Sequence, residues 1–174
     1  MTLCNKKLQS GRSMIEMLGV LAIVGVLSAG GIAGYSMAMA NYKATTLNEK
    51  VLAISQQARV LYEGVYNETA SDDPKGVMGL RLIASGFVAD VNNPFGGYLK
   101  TNPSSGDSST FTIETDAVIS REACIKIMTT NWGENGMISS ITTDSGVLEK
   151  FPADGEDAMS VCDKDNLTVT WKMK

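Results

Sequence analysis

The sequence predicts an α+β chain: one long N-terminal α-helix whose hydrophobic half protrudes and whose second half packs on an antiparallel β-sheet. Three observations carry this. From Met14 to Ala40 the chain reads MIEMLGVLAIVGVLSAGGIAGYSMAMA, with Glu16 as its single charge. Beyond it, Leu47, Val51, Ile54, Ala58, Leu61 and Val65 recur at spacings of three and four, which is one face of a helix. Further on, short segments such as Phe111–Thr115 alternate apolar and polar residues with the period of a half-buried strand.

The apolar run exceeds the ~20 residues a helix needs to cross a bilayer. It is also longer than a signal-peptide core of about 7–15 residues. Lys6, Lys7 and Arg12 come before it, so the positive-inside tendency keeps the N-terminus in the cytoplasm and exports the rest. Glu16 is out of place in an ordinary anchor. A carboxylate there costs up to a few kcal/mol at depth, less near the interface, so it either finds a partner or snorkels to the headgroups. Gly30 and Gly34 form a small-xxx-small pair that lets helices approach closely in lipid. Each glycine in the run also weakens the helix, by roughly 0.5–1 kcal/mol relative to Ala. Ala38-Met39-Ala40 meets the small-x-small rule of ordinary signal peptidase, and a cut there would release a soluble domain beginning at Asn41.

No proline interrupts the helical pattern until Pro74, so one helix from about Ser13 to Tyr66 is expected, roughly 80 Å long. The polar stretch from Asn67 to Pro74 breaks it. Val77–Gly86 reads as a short helix ended by Gly86, and Asn92-Asn93-Pro94-Phe95-Gly96-Gly97 as a turn leading into a strand from Tyr98. Thr101–Ser109 reads as an exposed loop. Ser120 can cap a helix over Arg121–Thr130 with Ala123, Ile127 and Met128 inward. Ile138–Thr142 and Leu167–Trp171 are further strands, with Val169 and Trp171 alternating.

Composition excludes several function classes. The net charge of −4 argues against a nucleic-acid partner, which would require a basic stripe. There is no histidine, which removes Ser-His-Asp and Cys-His triads and His-ligated zinc. No phosphate-binding loop, CxxC pair or catalytic dyad is present, so no enzyme activity, cofactor or metal is assigned. Asp163-Lys164-Asp165-Asn166 begins like a calcium loop but lacks the glycine and the twelfth-position Glu of an EF-hand. Of the three cysteines, Cys4 precedes the apolar run. If the run directs export, Cys124 and Cys162 are the only pair in an oxidising compartment; the alternative is two unrelated buried thiols.

The string Gly11-Arg12-Ser13-Met14-Ile15-Glu16, opening a long apolar helix, resembles the class III signal of type IV prepilins and pseudopilins. The resemblance implies that a membrane prepilin peptidase cuts between Gly11 and Arg12 and methylates the new N-terminus. The first residue after the cut is Arg12, where the family usually has Phe, Met or Leu. By the same resemblance, Glu16 is the carboxylate that pairs with a neighbouring subunit's free amine during assembly. The Asn-Pro-aromatic-Gly-Gly turn resembles that of type IVb pilins, and the family's disulfide, here Cys124–Cys162, clamps the C-terminal region on the sheet.

The implied organisation is a leader (1–11), a transmembrane and filament-core helix (12–40), its amphipathic continuation (41–66) and a globular head (67–174). The implied function is a structural subunit of a type IVb-like pilus. Its partners are other copies of itself, the peptidase, an assembly platform and ATPase, and the inner membrane before assembly. The head faces the periplasm in the precursor and is extracellular in the filament, which serves adhesion, aggregation, motility or DNA transfer. One alternative is a pseudopilin or minor pilin of a secretion or DNA-uptake machine. Another is a secreted binding module or enzyme released after Ala40.

Overall fold

The computed structural model describes residues 12–132 and 137–174; the side chains of residues 12 and 13 are not described, and the 1–11 leader expected from sequence lies outside the described residues. Two compact units divide at Met39 and Ala40. Helix α1 (Arg12–Tyr62) supplies all the described structure of the first unit and opens the second. The elements that follow are α2 (Gly76–Ala84), β1 (Leu99–Pro103), β2 (Phe111–Thr115), α3 (Arg121–Met128), β3 (Ile138–Thr143), β4 (Gly146–Leu148), α4 (Gly155–Val161) and β5 (Val169–Met173). This is the α+β class expected from sequence, with a long N-terminal helix and an antiparallel sheet.

The sheet runs β1-β2-β5-β3-β4, every pair antiparallel, with the C-terminal strand in the middle. One row crosses all five strands: Thr101 opposite Ile113, Ile113 opposite Trp171, Trp171 opposite Ile141 and Ile141 opposite Leu148. Thr101, Ile113, Trp171 and Ile141 are fully buried. Because side chains alternate along a strand, this register puts the apolar set of each strand on one face. That face joins Ala44, Leu47, Val51, Ile54 and Ala58 of α1 in a single core cluster, which also takes in Leu82, Ile127 and Met128. The stripe expected along α1 is therefore the surface the sheet covers, up to Ala58.

At its end the stripe fails, because α1 stops at Tyr62 and not at Tyr66. Glu63 and Gly64 take positive φ (52° and 79°), and Val65 donates back to the Tyr62 carbonyl at 3.0 Å. A left-handed glycine after the last turn is a common helix stop. Val65 is consequently 54% exposed, while Tyr66 turns inward to sit 4.8 Å from the Phe111 ring. The local signal for a stop was a lone glycine; the tertiary reward for Tyr66 decided it.

The expected exposed loop at Thr101–Ser109 is also corrected. Thr101, Asn102 and Pro103 belong to β1 and are buried. Asn102 explains why so polar a segment is drawn in. Its side-chain oxygen accepts from the Ser71 and Val77 amides (3.2 and 2.9 Å), and its Nδ2 donates to the Ser71 carbonyl at 3.0 Å. The sequence reading also passed over β4 and α4. Asp154 caps α4, accepting from the Glu156 and Asp157 amides at 3.1 and 2.8 Å. An Asp followed by acidic residues in the first turn is a helix-start signal that was present in the sequence.

Candidate assembly interface

The first unit is a helix whose side chains are exposed from Met14 to Ala38 among the described residues. Its apolar side chains are exposed throughout, from Met14 (71%) through Leu21 and Leu27 to Ile32 (71%). It is long and apolar enough to cross a membrane. Among the described residues, none accounts for the small size of glycines 19, 25, 30, 31 and 34, since a Cβ at any of them would meet open space. The Ser36 hydroxyl donates to the Ala33 carbonyl at 2.9 Å, so this polar group is satisfied inside the helix. Such a surface calls for lipid or protein to cover it.

Glu16 lies on this helix, exposed, beside Met17, Val20 and Leu21. No described side chain forms an ion pair or hydrogen bond with it. Gly11 lies outside the described residues. Arg12 is the first residue of α1, without a described side chain.

In the second unit, the chain beyond α3 is tied down at several points. Cys124 on α3 is disulfide-bonded to Cys162 at the end of α4, with Cα atoms 5.9 Å apart and both residues fully buried. Beside the bond, Arg121 Nε donates to the Cys162 carbonyl at 3.1 Å. Thr143 Oγ1 donates to the Val161 carbonyl at 2.7 Å, and Ile119 pairs with Leu167 as an isolated bridge. The disulfide is thus one of several links that tie this segment to the rest of the unit, among them the Ala153 amide donating to the Met128 carbonyl at 3.1 Å.

The acidic C-terminal third uses its carboxylates in the fold. Asp144 accepts from the Thr168 amide and hydroxyl at 3.0 and 2.7 Å, which holds its carboxyl below the usual range. Asp163 accepts from Ser145, and Asp165 from the Arg121 amide. Among the described residues no three His, Cys, Asp or Glu side chains gather as a metal site would require.

Sequence reading missed the contacts that fasten the turn after α2 to α1. Lys50 of α1 bonds Asp90 at 2.8 Å and the Asn92 carbonyl at 3.1 Å, and Lys43 lies over the Phe95 ring. Asp90 is held below its ordinary value, first by the Lys50 hydrogen bond and then by the Asn92 amide. Lysines placed off the apolar stripe read as solvated surface; only the folded chain shows what each one reaches.

No protein-family model matches the chain. Among curated proteins it is similar to the major structural subunit of the bundle-forming pilus of Escherichia coli O127:H6 (strain E2348/69 / EPEC), 26% identical over 133 residues, covering 74% of this chain and 68% of the relative. The same figures hold for the protein of that description from Escherichia coli O111:H-. An alignment of 133 residues cannot be contained in the 51 of α1, so the likeness extends into the head. Apolar helices resemble one another for reasons of composition alone, and a likeness that reaches past the helix does not. On that ground, together with the long N-terminal helix and antiparallel sheet, the chain is similar to a pilus major subunit beyond its apolar helix.

Proposed function

We propose that this chain is a structural subunit of a type IV pilus, type IVb-like, made as a membrane-held precursor and polymerised through α1. The observation that carries the reading is the apolar surface of residues 14–38, which no described part of the chain covers. In the precursor, lipid covers it. In a filament, the same segment of neighbouring copies does, so its burial persists while the contacts change. Similarity to a pilus major subunit supports a structural and non-enzymatic role.

Trimming after Gly11 by a prepilin peptidase is the first step. It frees an amine at Arg12 and removes Lys6 and Lys7. Glu16 then offsets the charge of that amine on the preceding copy as both leave water, because a buried charge is tolerable only with a partner. An assembly platform and ATPase draw the subunit from the inner membrane, carrying the head from the periplasm to the outside. The disulfide keeps the head folded in these oxidising surroundings.

Two measurements test this. The intact mass and N-terminal sequence of the protein in sheared surface material should show a start at Arg12. A start at Asn41 would make the chain a secreted soluble domain and end the proposal. Glu16→Ala should be cleaved normally yet assemble poorly, since an unpaired buried amine costs about 3–5 kcal/mol. Normal filaments from that variant would remove the pairing step.

A further inference from the structure

The apolar segment is longer than the bilayer it must cross. From Met14 to Ala40 the helix rises about 40 Å, against a hydrocarbon core of ~30 Å. Several depths are therefore open to it, and hydrophobicity alone does not choose among them. Three side chains do. Glu16 marks the near end, where a carboxylate is least costly at the interface. Tyr35 and Tyr42 mark the far end. Both are 67% exposed, and seven residues is close to two helical turns, so they stand on the same side of α1. No described aromatic side chain occurs between Glu16 and Tyr35, and no charged residue occurs between Glu16 and Lys43.

We infer that Tyr35 and Tyr42 form the outer-interface anchor of the precursor and, with Glu16, set a single depth in the bilayer. The distances agree. Tyr35 lies about 28 Å along the axis from Glu16, and Tyr42 about 39 Å. A tilt of ~20° reduces these spans to roughly 27 and 37 Å. Tyr35 then meets the outer edge of the hydrocarbon and Tyr42 the outer side of the headgroup layer, where amphipathic rings are favoured. The first α1 residue fully buried by the head is Ala44, two residues past Tyr42. The helix thus passes from lipid cover to head cover with no apolar turn left in water. The hydroxyls of Ser36, Thr45 and Thr46 donate to the Ala33, Asn41 and Tyr42 carbonyls and so impose no demand for water at this boundary.

This inference rests on the membrane-held precursor proposed above, and the experiment separates the two. Single cysteines are placed in the full-length chain at Val24, Ala33 and Asn41 in a Cys4→Ser background, Cys124 and Cys162 being disulfide-bonded. Spheroplasts are treated with a membrane-impermeant maleimide. Only a thiolate reacts, and apolar surroundings raise the thiol pKa, each unit slowing labelling about tenfold. Asn41→Cys should label as a free surface thiol does, and Val24→Cys and Ala33→Cys at least about tenfold more slowly. Adding Tyr35→Ala with Tyr42→Ala should change the Asn41 to Ala33 labelling ratio. Protection at Asn41, free labelling at Ala33, or a ratio indifferent to the tyrosines overturns the anchor while leaving the precursor in the membrane. Free labelling at Val24 as well would place the helix outside any bilayer, and the membrane-held precursor would fall with it.

Discussion

Replacing both Cys124 and Cys162 by alanine removes the one covalent link in the head without leaving a free thiol. The bond joins residues 38 apart in sequence. Loop-closure entropy for a loop of that size amounts to about 4 kcal/mol at 25 °C. Packing adds little, because each substitution deletes only one sulfur atom from a buried site. Against a total of about 5–15 kcal/mol for a domain, that is a large share of the stability. Both tryptophans, Trp132 and Trp171, lie buried in the head with rings 6.1 Å apart, so intrinsic fluorescence reports on this unit and not on the apolar helix. Urea titration of the detergent-solubilised chain should show the double variant about 4 kcal/mol less stable, with Tm lower by roughly 15 °C. Wild-type protein unfolded and refolded in reductant should approach the same value. The reasoning requires the unfolded chain to be loose between the two positions. A difference under about 1 kcal/mol would show that the hydrogen bonds around the disulfide already confine the segment, and would refute it.

Further expectations follow from the core and its edges. Leu47→Ala should cost about 2–5 kcal/mol and Val60→Ala under about 0.5, since Leu47 is fully buried and Val60 is 63% exposed on the same helix; equal losses would mean that the face of α1 is misassigned. Gly76→Ala should fail to give a stable head, because Gly76 has φ +70° and a Cβ there would sit 2.2 Å from the Thr101 carbonyl oxygen; a normal urea midpoint would contradict the α2–β1 packing. Asp90 has a depressed pKa in the fold, so its pairing with Lys50 stabilises above the unfolded carboxyl value near 4 and is lost as pH falls through the lower folded value. Asp90→Asn should therefore flatten the acid limb of the stability curve, by less than about 1 kcal/mol because the carboxylate is 45% exposed; an unchanged limb would place the acid sensitivity elsewhere.

Much of this molecule could be read from local pattern. The spans of β2, α3 and α1's apolar segment follow from periodicities of two and 3.6 and from a capping serine, Ser120, which accepts from the Ala123 amide. Each of these signals lies within a few residues of the feature it specifies, which is why sequence alone reaches them. Gly11, Arg12 and Glu16 were legible in the same way, as a motif, and their roles remain with the processing and assembly experiments.

Where the chain had to choose between a local preference and a distant partner, the sequence was silent. Tyr66 leaves the helical pattern because Phe111 offers it a buried ring contact. Asn102 enters a strand because Ser71 and Val77 supply amides for its side chain. The C-terminal strand takes the centre of the sheet, between β2 and β3, an order that alternation along one strand cannot encode. The sequence by itself determined that a long apolar helix runs from about residue 13, which faces of its elements are buried, and what the motif at its start resembles. The tertiary structure alone decided where that helix ends, which strands are neighbours and which charges meet. Periodicity is set by bond geometry within one segment, whereas neighbours are set by free energies shared between segments tens of residues apart.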